Sequence, residues 1–84
     1  MTDLEFEIMD ELYFIMPFEG LMKHLSMPET DLLHALQNLI EKGWVKCLEK
    51  ETDRELEVPP DFKAEYKKYN YLATKAGLLA HNSI

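Results

Sequence analysis

The sequence has little cysteine, little glycine and no long apolar run, and each shortage excludes a class of protein. Only one of its 84 residues is cysteine and three are glycine. Cys47 alone can form neither an internal disulfide nor a multi-thiolate metal site, which fits a reducing, cytoplasmic setting. The glycines form no phosphate-binding loop. No apolar run approaches the ~18 residues that a membrane helix needs, so no membrane partner is expected.

Basic residues are scarce in the first half of the chain. Residues 1–41 hold nine acidic residues and one base, Lys23, whereas residues 42–84 hold seven acidic residues and eight bases. The formal charges are −8 and +1, which together give the net charge of −7. This balance counts against easy nucleic-acid binding, because proteins that follow a phosphate backbone are usually basic.

A catalytic site has no support in the residue pattern. The chain is long enough for one small domain, 1–84, with a modest core, so a deep active-site cavity is not expected. The acidic residues near the N-terminus follow the solvent face of a helix, and no Ser/His/Asp arrangement can be argued. The spacing of His24, His34 and His81 matches no metal-ligand pattern. We therefore predict that the protein is no enzyme and has no metal or cofactor.

Two segments before Gly43 have strong helical patterns. Residues 1–16 form the first predicted helix, with Thr2 and Glu5 at capping-box spacing and apolar residues at helical intervals. Residues 17–43 form a predicted helix pair. Its first helix begins at Pro17 and its second follows a Ser26–Glu29 capping box and ends at Gly43. Only Ser26 to Pro28 separates the two predicted helices, and so short a connection is typical of a helix-turn-helix pair.

Residues 44–73 change to an extended pattern. A strand over 44–51 is followed by a polar turn at 52–54 and an extended segment that Pro59 and Pro60 end. Asp61 is placed to cap a short helix, and 71–73 is a predicted return strand. Residues 74–82 are predicted as a final helical turn capped by Thr74.

This order of elements resembles a winged helix-turn-helix domain of the MarR and PadR type, found in bacterial transcriptional regulators. Two stretches carry the resemblance: residues 28–45, which look like a recognition helix running into a strand, and residues 71–77, which look like the second wing strand and a Thr-x-x-Gly turn. The resemblance implies a fold that is mainly α with a small β-hairpin wing, which residues 44–73 would form. It also implies double-stranded DNA as the partner and a homodimer as the assembly.

The resemblance further implies which residues would contact DNA. The groove-facing candidates on the third helix are Thr30, Asp31, His34, Gln37, Asn38 and Glu41, of which Gln37 and Asn38 have side chains able to read adenine edges. Positive charge would come from the end of that helix and from the wing. Those residues are Lys42, Lys46, Lys50, Arg54, Lys63, Lys67 and Lys68.

Three features have two interpretations each. No Arg or Lys occurs between Lys23 and Lys42, and the third helix carries Asp31 and Glu41, so the domain is alternatively a protein–protein interaction module with little DNA affinity. The wing lysines, which alternate with aromatic residues, either bind phosphates and bases or pair with nearby glutamates on a solvated surface. The wide apolar face of the first helix either completes the core or forms a dimer seam that includes Phe6 or Phe14. Cys47, by contrast, is expected to be a packed, inert thiol.

Overall fold

A computed structural model describes residues 1–56 and 62–82, and these form an α+β fold. The helices are α1 (Asp3–Glu11), α2 (Phe18–His24), α3 (Glu29–Glu41), α4 (Phe62–Glu65) and α5 (Lys75–Asn82), with a 3-10 turn at Tyr66–Lys68. The strands are β1 (Met16–Pro17), β2 (Val45–Glu49), β3 (Glu55–Leu56) and β4 (Tyr69–Ala73). The interpretations placed on Pro59, Pro60 and Asp61 lie outside the described residues.

The four strands form one antiparallel sheet in the order β1-β4-β2-β3. Strand β4 pairs with β2 along its length, from Val45 opposite Ala73 to Glu49 opposite Tyr69. On its other side β4 pairs with β1, with Met16 opposite Tyr71. The described residues therefore contain more sheet than the predicted hairpin, because the connection before α2 adds a strand. Two residues are too few to show the period of two by which a strand is predicted.

The first helix is shorter than the sequence predicts. It ends at Glu11 rather than at residue 16, and Leu12 is its C-cap. The carbonyl of Leu12 accepts a hydrogen bond from the Ala73 N–H at 3.0 Å, so the chain leaves the helix to pair with the sheet. The apolar pattern continued past Glu11 because the residues after the helix are also apolar. Pro17 lies in β1 and is the N-cap of α2 rather than its first residue.

The predicted cap of the third helix is also wrong, whereas the helix signals at Thr2, Gly43 and Thr74 are confirmed. Pro28 is the N-cap of α3, and no side chain caps this helix. The capping box between Thr2 and Glu5 is present. Gly43 has a φ of 76°, the left-handed conformation expected after the helix. The Thr74 hydroxyl accepts the Gly77 N–H at 3.0 Å at the start of α5.

The core lies between the sheet and helices α1, α2 and α3. Its fully buried side chains are Ile8, Met9, Leu12, Phe18, Leu21, Leu32, Leu36, Leu39, Cys47 and Tyr71. Cys47 is packed as predicted, and burial raises the pKa of its thiol to about 12, which favours the protonated, unreactive form. No helix within the described ranges has both the length and the apolar character needed to cross a bilayer.

Candidate interaction surface

Helix α3 presents its polar residues to solvent as the sequence predicts. Leu32, Leu36 and Leu39 are fully buried, and this fixes the rotation of the helix about its axis. Thr30, Asp31, His34, Asn38 and Glu41 are consequently exposed, and Gln37 is half-buried. We call this set the α3 face. It contains two carboxylates and neither lysine nor arginine, so it is an exposed helix surface of negative formal charge.

The first lysine after this face, Lys42, contacts the first turn of α1. Lys42 Nζ lies 3.2 Å from Glu5 Oε2 and 3.4 Å from Oε1, on the first turn of α1. The same ammonium lies 4.9 Å from the centre of the Trp44 ring, within cation–π range. Lys42 therefore joins α3 to α1, and its charge is largely cancelled by Glu5.

Glu5 is buried, although the sequence pattern places it on the solvent face of the first helix. Its side chain is 3% exposed, and one carboxylate oxygen accepts the Thr2 N–H at 2.9 Å. Burial opposes its ionisation, but the Thr2 N–H and the Lys42 ammonium outweigh burial and lower the pKa of Glu5. The signal was present in the sequence, because Glu5 precedes the buried Met9 by four positions and Leu12 by seven.

Three of the six basic residues of the predicted wing are paired with carboxylates. Ion pairs join Arg54 to Glu49 at 3.1 Å, Lys67 to Glu29 at 3.5 Å and Lys68 to Glu65 at 3.7 Å. These exposed pairs add little stability. Their effect is on the surface potential, because each cation lies beside an anion. Lys46, Lys50 and Lys63 form no ion pair with any residue in the described ranges.

The aromatic side chains between the wing lysines pack into the protein. Tyr71 is fully buried, and its hydroxyl donates to the Tyr66 carbonyl at 2.6 Å. The ring of Tyr66 packs edge-on against Phe18 at 4.7 Å, and Phe62 packs against Tyr71 at 6.2 Å. Phe62 and Tyr71 are buried by this packing and Tyr66 is half-buried, so these three rings do not support the interpretation that the wing aromatics stack on bases.

A hydrogen bond from Tyr66 fixes the same segment to α3. The Tyr66 hydroxyl donates to the Glu29 carboxylate. This bond lowers the pKa of Glu29 and raises that of Tyr66, because it favours the ionised carboxyl and the protonated phenol. Glu29 also pairs with Lys67, so the first turn of α3 is held by two consecutive side chains of the 3-10 turn.

Two of the open grooves that border these elements contain predicted DNA-contacting residues. The first, about 390 Å³ in volume, lies beside the turn of the β2–β3 hairpin and is lined by Glu49, Lys50, Glu51, Lys67 and Lys68. The second, about 230 Å³, lies between the first turn of α1 and the α3 face. Its lining residues are Thr2, Leu4, Glu5, Asp31, His34, Ala35 and Asn38. We call the first the hairpin groove and the second the α1–α3 groove.

The end of α1 is joined to α5 by polar side chains. The Tyr13 hydroxyl lies 3.1 Å from His81 Nδ1 and donates to Asn82 Oδ1 at 3.1 Å. His81 is buried and stacks on the Phe6 ring at 4.1 Å. Its Nε2 lies 2.8 Å from Asp10 Oδ1, although the contact lacks hydrogen-bond geometry. Phe6, one of the two residues predicted for the dimer seam, thus packs against a residue of its own chain.

The other predicted seam residue is exposed. Phe14, in the turn after α1, is 78% exposed, and Leu79 on α5 is 63% exposed.

The three histidines have different surroundings. His24 Nδ1 lies 2.5 Å from Glu11 Oε1, His81 contacts α1, and His34 belongs to the α3 face. Among the residues described, no three His, Cys, Asp or Glu side chains are grouped to hold a metal ion.

Neither the scan of family models nor the searches of curated proteins and of solved structures gives a match to this chain. The resemblance to MarR- and PadR-type regulators therefore stays a prediction.

Proposed function

We propose that this chain is a winged helix-turn-helix module that works by binding a protein partner through the α3 face. The architecture supports the first half of this proposal: α2 and α3 are consecutive helices with a short connection, and β2 and β3 form a hairpin beyond α3. In such domains the third helix is the element that contacts the partner. The proposal concerns binding, and no catalytic step is assigned to any residue.

The charge of the α3 face is the observation that carries the choice of partner. Asp31 and Glu41 are exposed on it, and the first base after it, Lys42, is held by Glu5. A helix that enters the major groove lies between two rows of phosphates, so both carboxylates would be repelled by DNA. A protein surface with basic and apolar groups would complement the same helix.

A crosslinking experiment tests the proposal directly. A photoreactive benzoylphenylalanine is placed at exposed Asn38 in the full chain, which is produced in its native cells and irradiated. We expect a discrete protein adduct, because Asn38 is an exposed residue of the α3 face. The matched control carries the same residue at Asp53, which is exposed in the turn between β2 and β3. Adducts of equal yield at both positions would contradict the proposal.

DNA binding is the second candidate, and the hairpin groove is the observation that favours it. Lys50, Lys67 and Lys68 converge there, and Lys50 forms no ion pair among the described residues. The experiment measures fluorescence anisotropy of a random-sequence duplex from 20 to 200 mM salt. DNA binding would appear as salt-sensitive affinity, with a slope that falls by about 0.9 for each phosphate contact removed.

The matched variants assign that affinity to a surface. Replacing Lys50, Lys67 and Lys68 with Glu should abolish duplex binding by the hairpin groove. Replacing Asn38 with Ala should change only base preference if α3 lies in the major groove. We expect no duplex binding by the native chain at 20 mM salt. Strong, salt-sensitive binding that the Glu variant removes would replace the protein-partner proposal with a wing-led DNA reader.

The assembly and the compartment are also proposals. We propose a homodimer that buries the exposed Phe14, since large exposed apolar side chains mark interaction sites. We propose a cytoplasmic setting, which is supported by a single, buried and protonated cysteine.

A further inference from the structure

The α1–α3 groove has the volume and lining of a site for one long side chain. Its volume of about 230 Å³ is below that of a typical small-molecule pocket. Leu4 and Ala35 give it an apolar wall, and Asp31, His34 and Asn38 supply polar groups from successive turns of α3. A side chain that enters here would therefore contact an apolar surface along its stem and polar groups at its head.

The charges in the groove select a cation. Asp31 is exposed and has no ion pair or hydrogen bond with a described residue. Glu5, the other carboxylate in the lining, already has Lys42 and the Thr2 N–H as partners. Asp31 is thus the free anion of the groove, and Asn38 offers an amide oxygen on the same helix face two turns further along, at i+7 from Asp31.

We propose that the α1–α3 groove binds an arginine side chain on a basic segment of the protein partner. An arginine stem can cover Leu4 and Ala35 while the planar guanidinium donates two parallel hydrogen bonds to the Asp31 carboxylate. Lysine fits less well because its ammonium is a compact charge without the fork geometry. The inference rests on the proposed function, since it names the chemistry by which the α3 face recognises its partner.

The test uses three labelled peptides and the full chain. Each peptide is three repeats of a basic residue, alanine and leucine, with arginine, lysine or citrulline at the basic position. Citrulline keeps the shape of arginine and lacks its charge. We expect the arginine peptide to bind most tightly by fluorescence anisotropy at 150 mM salt. Asp31→Asn should weaken its binding about tenfold, the usual effect of losing one charge-assisted hydrogen bond.

The matched control is Asp53→Asn, which makes the same change of net charge in the turn between β2 and β3. Asp53 has a φ of 54°, a conformation that asparagine accepts readily. This variant should bind the arginine peptide as the native chain does, and thermal melts should show that both variants are folded. Equal weakening in both variants would assign binding to the overall negative charge and overturn the inference.

The outcome separates this inference from the proposed function. If the crosslinker at Asn38 captures a protein and Asp31→Asn leaves both the adduct and peptide affinity unchanged, the α3 face is the interaction surface and the arginine site is wrong. If neither adduct nor Asp31-dependent peptide binding occurs, both fail. A rise in molecular mass of the free chain that Arg54→Lys removes would identify a second copy as the occupant, since Arg54 is the chain's single arginine.

Discussion

At the scale of single residues, Gly77 shows how closely α5 approaches the rest of the fold. A Cβ built on Gly77 would lie 2.1 Å from the Trp44 carbonyl oxygen and 2.8 Å from Met9 Cε. A side-chain methyl can move aside, but the Trp44 carbonyl belongs to backbone that also accepts the Thr74 N–H. Any residue with a side chain at position 77 must therefore displace α5.

We predict that Gly77→Ala destabilises the protein by about 1–3 kcal/mol, the usual cost of overpacking. The sign of the change is informative, because helix propensity alone would make alanine more stable than glycine by about 1 kcal/mol. The measurement is the free energy of unfolding in urea. Ala76→Gly, at the exposed neighbouring position, is the control and should cost only the propensity difference. A more stable Gly77→Ala variant would show that α5 does not pack this closely.

Glu5 gives a prediction with a pH dependence. The folded protein lowers the pKa of Glu5, so its ionised form stabilises the fold above the ordinary glutamate pKa, and this stabilisation is lost as the pH falls through the lowered value. At pH 7 we expect Glu5→Gln to cost about 1–2 kcal/mol, since Lys42 and the Thr2 N–H lose a charged acceptor. The difference from the native chain should shrink at pH 3.

Urea denaturation at the two pH values measures this effect. The control is Glu7→Gln, which removes the same charge from an exposed position on the same helix. Glu7→Gln should change stability little at either pH. If the two variants lose equal stability at pH 7, Glu5 does not join α1 to α3.

At the scale of elements, the rotation of α3 about its axis decides which of its residues face solvent. Leu36 lies between Leu32 and Ile40 on the inner side and is fully buried. We predict that Leu36→Ala costs about 2–5 kcal/mol, the range for truncating a buried leucine. Leu33→Ala, one position from the core face and half-buried, should cost less. A thermal melt of Leu36→Ala that matches the native chain would place the α3 face on the wrong side of the helix.

The helices were predictable from sequence to the extent that local signals determine them. The caps at Thr2 and Thr74 and the stop at Gly43 depend on contacts within four residues, and the structure has all three. The end of α1 was not predictable in this way. It depends on the Ala73 N–H, which reaches Leu12 from a strand near the other end of the chain.

The candidate site, like the helices, was predictable only where local signals determine it. The outward residues of α3 follow from its helical period, because 3.6 residues per turn fix them relative to the buried leucines. The ion pairs of Lys42 and Lys67 do not follow, since each joins residues that are distant in sequence. Those pairs place a carboxylate beside two of the predicted DNA-contacting bases, whereas Lys46, Lys50 and Lys63 have no such partner among the described residues.

At the scale of the whole molecule, Phe14 is the most exposed large apolar side chain in the described residues. We expect sedimentation to show a dimer at micromolar concentration and Phe14→Ser to shift it towards monomer. Lys50→Ser, at an exposed position after β2, is the control and should leave the mass unchanged. A native chain that is monomeric at every concentration would remove the dimer proposal and leave Phe14 available to another partner.

The central position of β4 has a consequence for how the chain is made. Both of its neighbours precede it in sequence: β1 lies near the N-terminus and β2 lies in the middle of the chain. A nascent chain on the ribosome therefore holds two strands with no common partner until residues 69–73 have emerged. Up to that point Cys47 on β2 lacks its strand neighbour Tyr71. Final folding is thus delayed until synthesis has passed β4, and a ribosome stalled before residue 69 displays a protease-sensitive chain.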